Sequence, residues 1–147
     1  MIFGNDRTQL RQVFIDAWQK YRDQLPLEPL ERQLAALVLE HPEYQGLLSE
    51  SDKALAQDFH VDPGNENPFL HLAMHLSIRE QVSLNRPAGI RECHVTLCKY
   101  LENHDAEHRM MEVLGELLWT AQRNGQAPEE AQYLAQLQES AAKAASQ

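Results

Sequence analysis

Seven histidines stand in this chain, and four of them form two HxxxH pairs, His71 with His75 and His104 with His108. Side chains at i and i+4 stand one above the other on a helix, about 5–6 Å apart at Cβ, so two imidazoles can meet one ion at the ~2.0–2.1 Å bonds that zinc takes. One pair chelates; two facing pairs build a site. At 100° per residue, His71, His75, Ile78 and Val82 fall within about 60° of arc, an apolar stripe that should face another helix. His104 and His108 share a similar arc with Met111 and Gly115, at the border of a second apolar face. An imidazole on an apolar face costs free energy unless something compensates it, and a metal ion compensates two such pairs at once.

The same wheel sorts the carboxylates. Glu112 lies about 40° beyond His108 and is the first choice to complete a coordination shell, while Glu107, about 60° to the other side of His104, is an alternative ligand or an orienting partner. His41, at a helix end before Pro42, and His60, between Asp58 and Asp62, are further donors from outside the paired helices. Glu80 falls on the opposite side of its helix from His71 and reads as an ion-pair partner near Arg79 and Arg91. Four histidines with a carboxylate exceed the four-coordinate demand of zinc and suit five- or six-coordinate iron or manganese, or a two-metal centre. Iron is the first expectation and zinc the second. Haem between two opposed histidines would leave the other two unexplained.

The remaining candidates have plainer readings. His94 by itself reads as an ordinary hydrogen-bonded histidine. Cys93 and Cys98 point about 140° apart on one helix, an awkward disposition for a disulfide, and read as reduced core thiols. They lack CxxC spacing. Met74, Met110 and Met111 read as core filler, Trp18 and Trp119 as core or interhelical anchors.

The elements that must position these residues are helices. No segment alternates apolar and polar residues between turn signals, so the fold class is all-α, a bundle of about five to six helices. The first starts after Asp6 and carries Leu10, Val13, Phe14, Ala17, Trp18 and Tyr21. LPLEP at 25–29 leads into a second with Leu30, Leu34, Leu37 and Val38, ending at His41-Pro42. Short helical turns are expected around Tyr44 to Leu48 and Asp52 to Gln57, and 58–67 reads as a loop ending in an Asn67 cap. A third main helix, Pro68 to about Leu84, is apolar around most of its girth. RPAG breaks it, and a fourth follows with Ile90, Cys93, His94, Leu97, Cys98 and Leu101. A fifth runs from about Asp105 to Arg123 and ends at Asn124-Gly125; a sixth opens at Pro128 and frays over about 140–147.

Composition bounds the function. The 147 residues, 43% apolar and 24% charged, fit one helical domain over 1–147 and contain no run approaching the ~20 apolar residues of a membrane span. Thirteen basic against 22 acidic residues leave a net charge of −9, which repels phosphate backbones and anionic lipid, so neither nucleic acid nor membrane is the expected partner. MIFGNDRTQL lacks the basic stretch and apolar core of a secretory signal, and a cytoplasmic location is expected.

At HPEY (41–44), NPFLH (67–71), HLSIREQ (75–81), RPAGI (86–90) and AEHRMMEVLGELLW (106–119), the chain resembles a family of short bacterial proteins known as a domain of unknown function. The resemblance spans nearly the whole chain and implies no assigned activity. It carries His41, His71, His75, His104 and His108 as positions that match the family; a Cys that often follows the MME triplet there is Val113 here. More distantly, the HxxxH pairs look like those of hemerythrin-like and DinB-like metal-binding bundles.

These residues support a helical metal protein with His71, His75, His104, His108 and Glu112 around the ion. The alternative is a metal-free module whose acidic surface engages a basic protein partner. A homodimer contact is also open, through the apolar third helix or the surface around Leu47-Leu48.

Overall fold

The computed structural model describes residues 7–50 and 68–146. Asp6, the expected helical turn at Asp52 to Gln57, the loop at 58–67 with His60, and the Asn67 cap lie outside the described residues. Those that are described form helices throughout: α1 Arg7–Arg22, α2 Pro29–Leu39, α3 Pro42–Ser49, α4 Pro68–Leu84, α5 Ile90–Tyr100, α6 Asn103–Arg123 and α7 Glu130–Ala145. That is seven helices where the sequence suggests five to six, because the weak turn at Tyr44 to Leu48 is a complete short helix, with Pro42 in its first turn. The chain divides into two compact units, Met1–Leu76 and Ser77–Gln147, the division falling inside α4.

In the first unit, α1, α2 and α3 pack on one another around Phe14, Ile15, Trp18, Leu34, Leu37 and Leu48, joined by Phe69, Leu72 and Leu76 from the first half of α4. Leu47 packs against this cluster and Leu48 lies within it, so of the two outcomes open for this pair, burial within the chain or a dimer contact, the first is the one found. Tyr21 and Leu30, assigned by periodicity to buried stripes, are exposed at 41% and 42%. Trp18 is the expected core anchor, and its indole Nε1–H donates to Ser49 Oγ at 3.3 Å. Lys20 on α1 bonds Glu31 on α2 at 2.7 Å.

In the second unit α5, α6 and α7 pack on one another. The α4–α5 corner is built by side chains that satisfy stranded backbone groups. Asn85 adopts φ 52°, and its Oδ1 accepts from the backbone N–H of Gly89 and of Arg91, each at 3.2 Å. The Arg91 guanidinium donates to the carbonyls of Val82 and Ser83, capping the end of α4 where the helix dipole favours a cation. Gly89 has φ 106°, a conformation that only glycine adopts cheaply, and the Leu134 methyls lie 3.4 and 3.5 Å from where a Cβ would stand.

α7 runs to Ala145, past the point near residue 140 where fraying is expected from the sequence. Ser140, Ala141 and Ala144 continue the buried stripe of Tyr133 and Leu137, and small side chains bury without a strong hydropathy signal. Tyr133 is buried, and its hydroxyl donates to Gln81 Oε1 at 2.6 Å. Burial pushes this phenol well above its ordinary range. The folded state therefore keeps the proton that the unfolded chain releases near pH 10, so this contribution is complete below about pH 10 and declines as pH rises further. Tyr133→Phe is expected to cost about 1 kcal/mol at neutral pH, by leaving Gln81 Oε1 without this donor, and to flatten the alkaline decline. Urea melts of both proteins across pH 7 to about 11 check both parts.

Candidate metal centre

The first unit gathers imidazoles at one place. His41 sits at the α2–α3 corner, where Pro42 starts α3 and leaves His41 itself non-helical, at φ −125° and ψ 72°. Its side chain is thereby turned out of both helices. The ring is 1% exposed, and its Nδ1–H donates to the Leu37 carbonyl at 2.7 Å. That bond selects the Nδ1–H tautomer and places the lone pair on Nε2, the arrangement in which a metal-binding histidine is oriented through its other nitrogen. Tyr44 stacks on the same ring, with centroids 5.4 Å apart and planes 5° from parallel.

His71 and His75 project from successive turns of α4 against it. The ring centroids lie 5.1 Å apart for His41 and His71, 4.8 Å for His41 and His75, and 4.9 Å for His71 and His75. His75 is wholly buried. His41 and His75 each have a ring nitrogen within 4.8 Å of the other's, so modest side-chain rotation would bring both to bonding distance of one ion. The three rings are in mutual contact and two of them are buried; His41 and His75 have ring nitrogens close enough to share a metal ion, whereas His71 joins them by ring contact and is not among the residues so grouped.

In the second unit α6 begins at Asn103, earlier than the sequence suggests, with Glu102 as its extended cap residue. His104 therefore lies inside the first turn. Its ring and that of His108 are 4.2 Å apart between centroids, and each ring has a nitrogen within 4.8 Å of the other's. Both are half-buried.

The carboxylates divide differently. Glu107 is buried and grips Arg79 of α4 through two hydrogen bonds, Nε to Oε2 at 2.9 Å and Nη2 to Oε1 at 3.1 Å. The partner of Arg79 is therefore Glu107 and not its sequence neighbour Glu80, which is exposed. Arg91, the other cation considered for Glu80, is engaged with backbone carbonyls. Glu112 is exposed and lines a groove of about 570 Å³ with Arg109, Gln136, Glu139 and Lys143, on the side of α6 that meets α7.

Of the residues with plainer readings, Cys93 is a buried free thiol as expected, but Cys98 is exposed and not a core residue. Desolvation raises both thiols above their ordinary range, Cys98 through neighbouring side chains although it is exposed, with Glu92 adding to the effect at Cys93 and Glu107 at Cys98. Trp119 is 60% exposed, contrary to its reading as an anchor, with the Arg123 guanidinium 5.2 Å from its ring. Sequence reasoning kept His41 only as an additional donor and gave Tyr44 no role; the signal available was the HPEY corner itself, since a proline after histidine fixes a helix start and lifts the ring out of the helix.

An all-helical protein with histidines clustered on its inner helix faces is the class that fold and side chains define. The chain belongs to the family described as Domain of unknown function (DUF1841), whose model matches residues 6–139. No curated protein and no solved structure matches it. Among the described residues, no helix is long and apolar enough to cross a membrane.

Proposed function

We propose that this protein is a metal-binding helical protein whose ligands are His71, His75, His104 and His108, with His41 as a further donor. The observation that carries the reading is the contact of His41, His71 and His75, whose centroids lie about 5 Å from one another. The Leu37 bond to His41 Nδ1 supports it further, since it orients Nε2 as a donor. Glu112, one turn after His108, is the proposed carboxylate, and as an exposed side chain it would have to turn out of the α6–α7 groove to serve; Glu107, engaged by Arg79, is the orienting alternative.

An imidazole-rich set with one carboxylate favours iron, with zinc second. An ion with an open coordination position would supply redox chemistry on dioxygen or peroxide or, as a Lewis acid, an activated water. The histidines present lone pairs and exclude solvent from the donor atoms that are buried. The net charge of −9 disfavours nucleic acid and anionic membrane as partners, and a cytoplasmic setting is part of the proposal.

Thermal melts of untagged protein, with and without chelator, test the reading. Because an ion bound only by the folded state stabilises it, stripping the metal is expected to lower stability by about 2.7 kcal/mol at a hundredfold excess of free metal over Kd, and re-added Fe2+ or Zn2+ to restore it. A melt indifferent to chelator and to both ions would favour the metal-free module with a basic partner.

A further inference from the structure

We propose a second metal site, independent of the clustered imidazoles, at the α5–α6 corner: His94, Cys98 and Asn103 form the face of a site for a thiophilic ion of the zinc type. His94 and Cys98 stand one turn apart on α5, and Asn103 opens α6, so the short connection at Leu101 and Glu102 brings a third heteroatom to the same spot. The three polar atoms make a closed triangle. Cys98 Sγ lies 3.5 Å from His94 Nε2, His94 Nε2 lies 3.0 Å from Asn103 Oδ1, and Cys98 Sγ lies 3.7 Å from Asn103 Oδ1.

Those sides have the size of a coordination face. Zinc–sulfur and zinc–nitrogen bonds of about 2.3 and 2.0–2.1 Å, meeting near the tetrahedral angle, span about 3.5 Å between donors, the separation at which hydrogen bonds among the three side chains already hold Sγ and Nε2. The donor set is one soft sulfur, one imidazole and one amide oxygen, and the sulfur selects zinc-like or cuprous ions over magnesium or calcium. Cys98 is exposed, so an ion can reach it from solvent and water can take the remaining position. Binding exchanges protons without any change of oxidation state. Without an ion His94 Nε2–H donates to Asn103 Oδ1; on binding, the thiol proton leaves to solvent as the sulfur–metal bond forms, and the ring gives up its Nε2 proton and takes one on Nδ1, so that the Nε2 lone pair faces the ion. Cys93, on the same helix, is buried and takes no part.

Cobalt(II) added to the full chain tests this, because a thiolate bound to cobalt gives a near-ultraviolet charge-transfer band that histidine and carboxylate ligands do not. The expected result is a saturable band, bleached by added Zn2+, abolished in Cys98→Ser, and requiring at least about tenfold more cobalt in His94→Ala or Asn103→Ala. It should persist in Cys93→Ala, and in His75→Ala, where the main centre is disabled. Absence of the band, its survival in Cys98→Ser, or its loss in Cys93→Ala would overturn the proposal.

Discussion

His75→Ala, made in the Cys98→Ser background that silences the α5–α6 corner, is expected to abolish metal uptake and to make the protein's stability independent of chelator. Two effects add. His75 is wholly buried and touches the rings of His41 and His71, so truncation leaves a void in a packed interior and costs about 2–3 kcal/mol even without metal. The stabilisation that a bound ion confers on the wild type then disappears as well. The chelator separates the two, since it destabilises the wild type but leaves the variant unchanged. His108→Ala is the companion. His108 is half-buried, so its truncation costs less in packing while removing metal binding to the same extent. Chelator-sensitive melts that persist undiminished in both variants would refute the assignment.

Arg79→Ala is expected to destabilise the protein by about 3 kcal/mol, the lower end of the range for a broken buried ion pair, because the guanidinium side is partly open to solvent. The Glu107 side chain is 4% exposed and that of Arg79 28%, and the fork between them is bidentate. Removing the arginine deprives a buried carboxylate of both bonds. Replacing both partners, Arg79→Met with Glu107→Met, should cost less than Arg79→Ala alone, since no buried charge then remains. Urea melts of the single and double variants give the comparison. A double variant as unstable as the sum of its singles would show that the fork contributes no coupling. The pair also bears on the candidate centre: Glu107 lies between His104 and His108 in sequence, so fixing it to α4 sets the rotation of α6 about its own axis.

The helices and the two HxxxH pairs are legible in the sequence because both are periodic. Leu34, Leu37 and Val38, or His71 and His75, announce a face through spacing alone, and proline or asparagine-glycine marks the ends. What is not periodic is not legible. His41 joins His71 and His75 through the turn between α2 and α3, a tertiary relation that no helical wheel contains. Arg79 reaches Glu107 across helices and not Glu80 beside it, and nothing local ranks two carboxylates by burial. Cys98 and Trp119 look like core residues by type, yet each falls on the outer side of its helix. The end of α7 is hidden for the opposite reason, because alanine and serine bury well without standing out as apolar.

The proposal that the two HxxxH pairs hold a common ion is tested most directly by metal stoichiometry. Untagged wild-type protein, His75→Ala and His108→Ala would be loaded with Fe2+ or Zn2+, desalted, and analysed for bound metal per chain, in the Cys98→Ser background to keep the α5–α6 corner silent. One shared centre predicts about one equivalent in the wild-type background and next to none in either histidine variant. Less than about a tenth of an equivalent in the wild-type background, or full occupancy retained when one pair is broken, would contradict it.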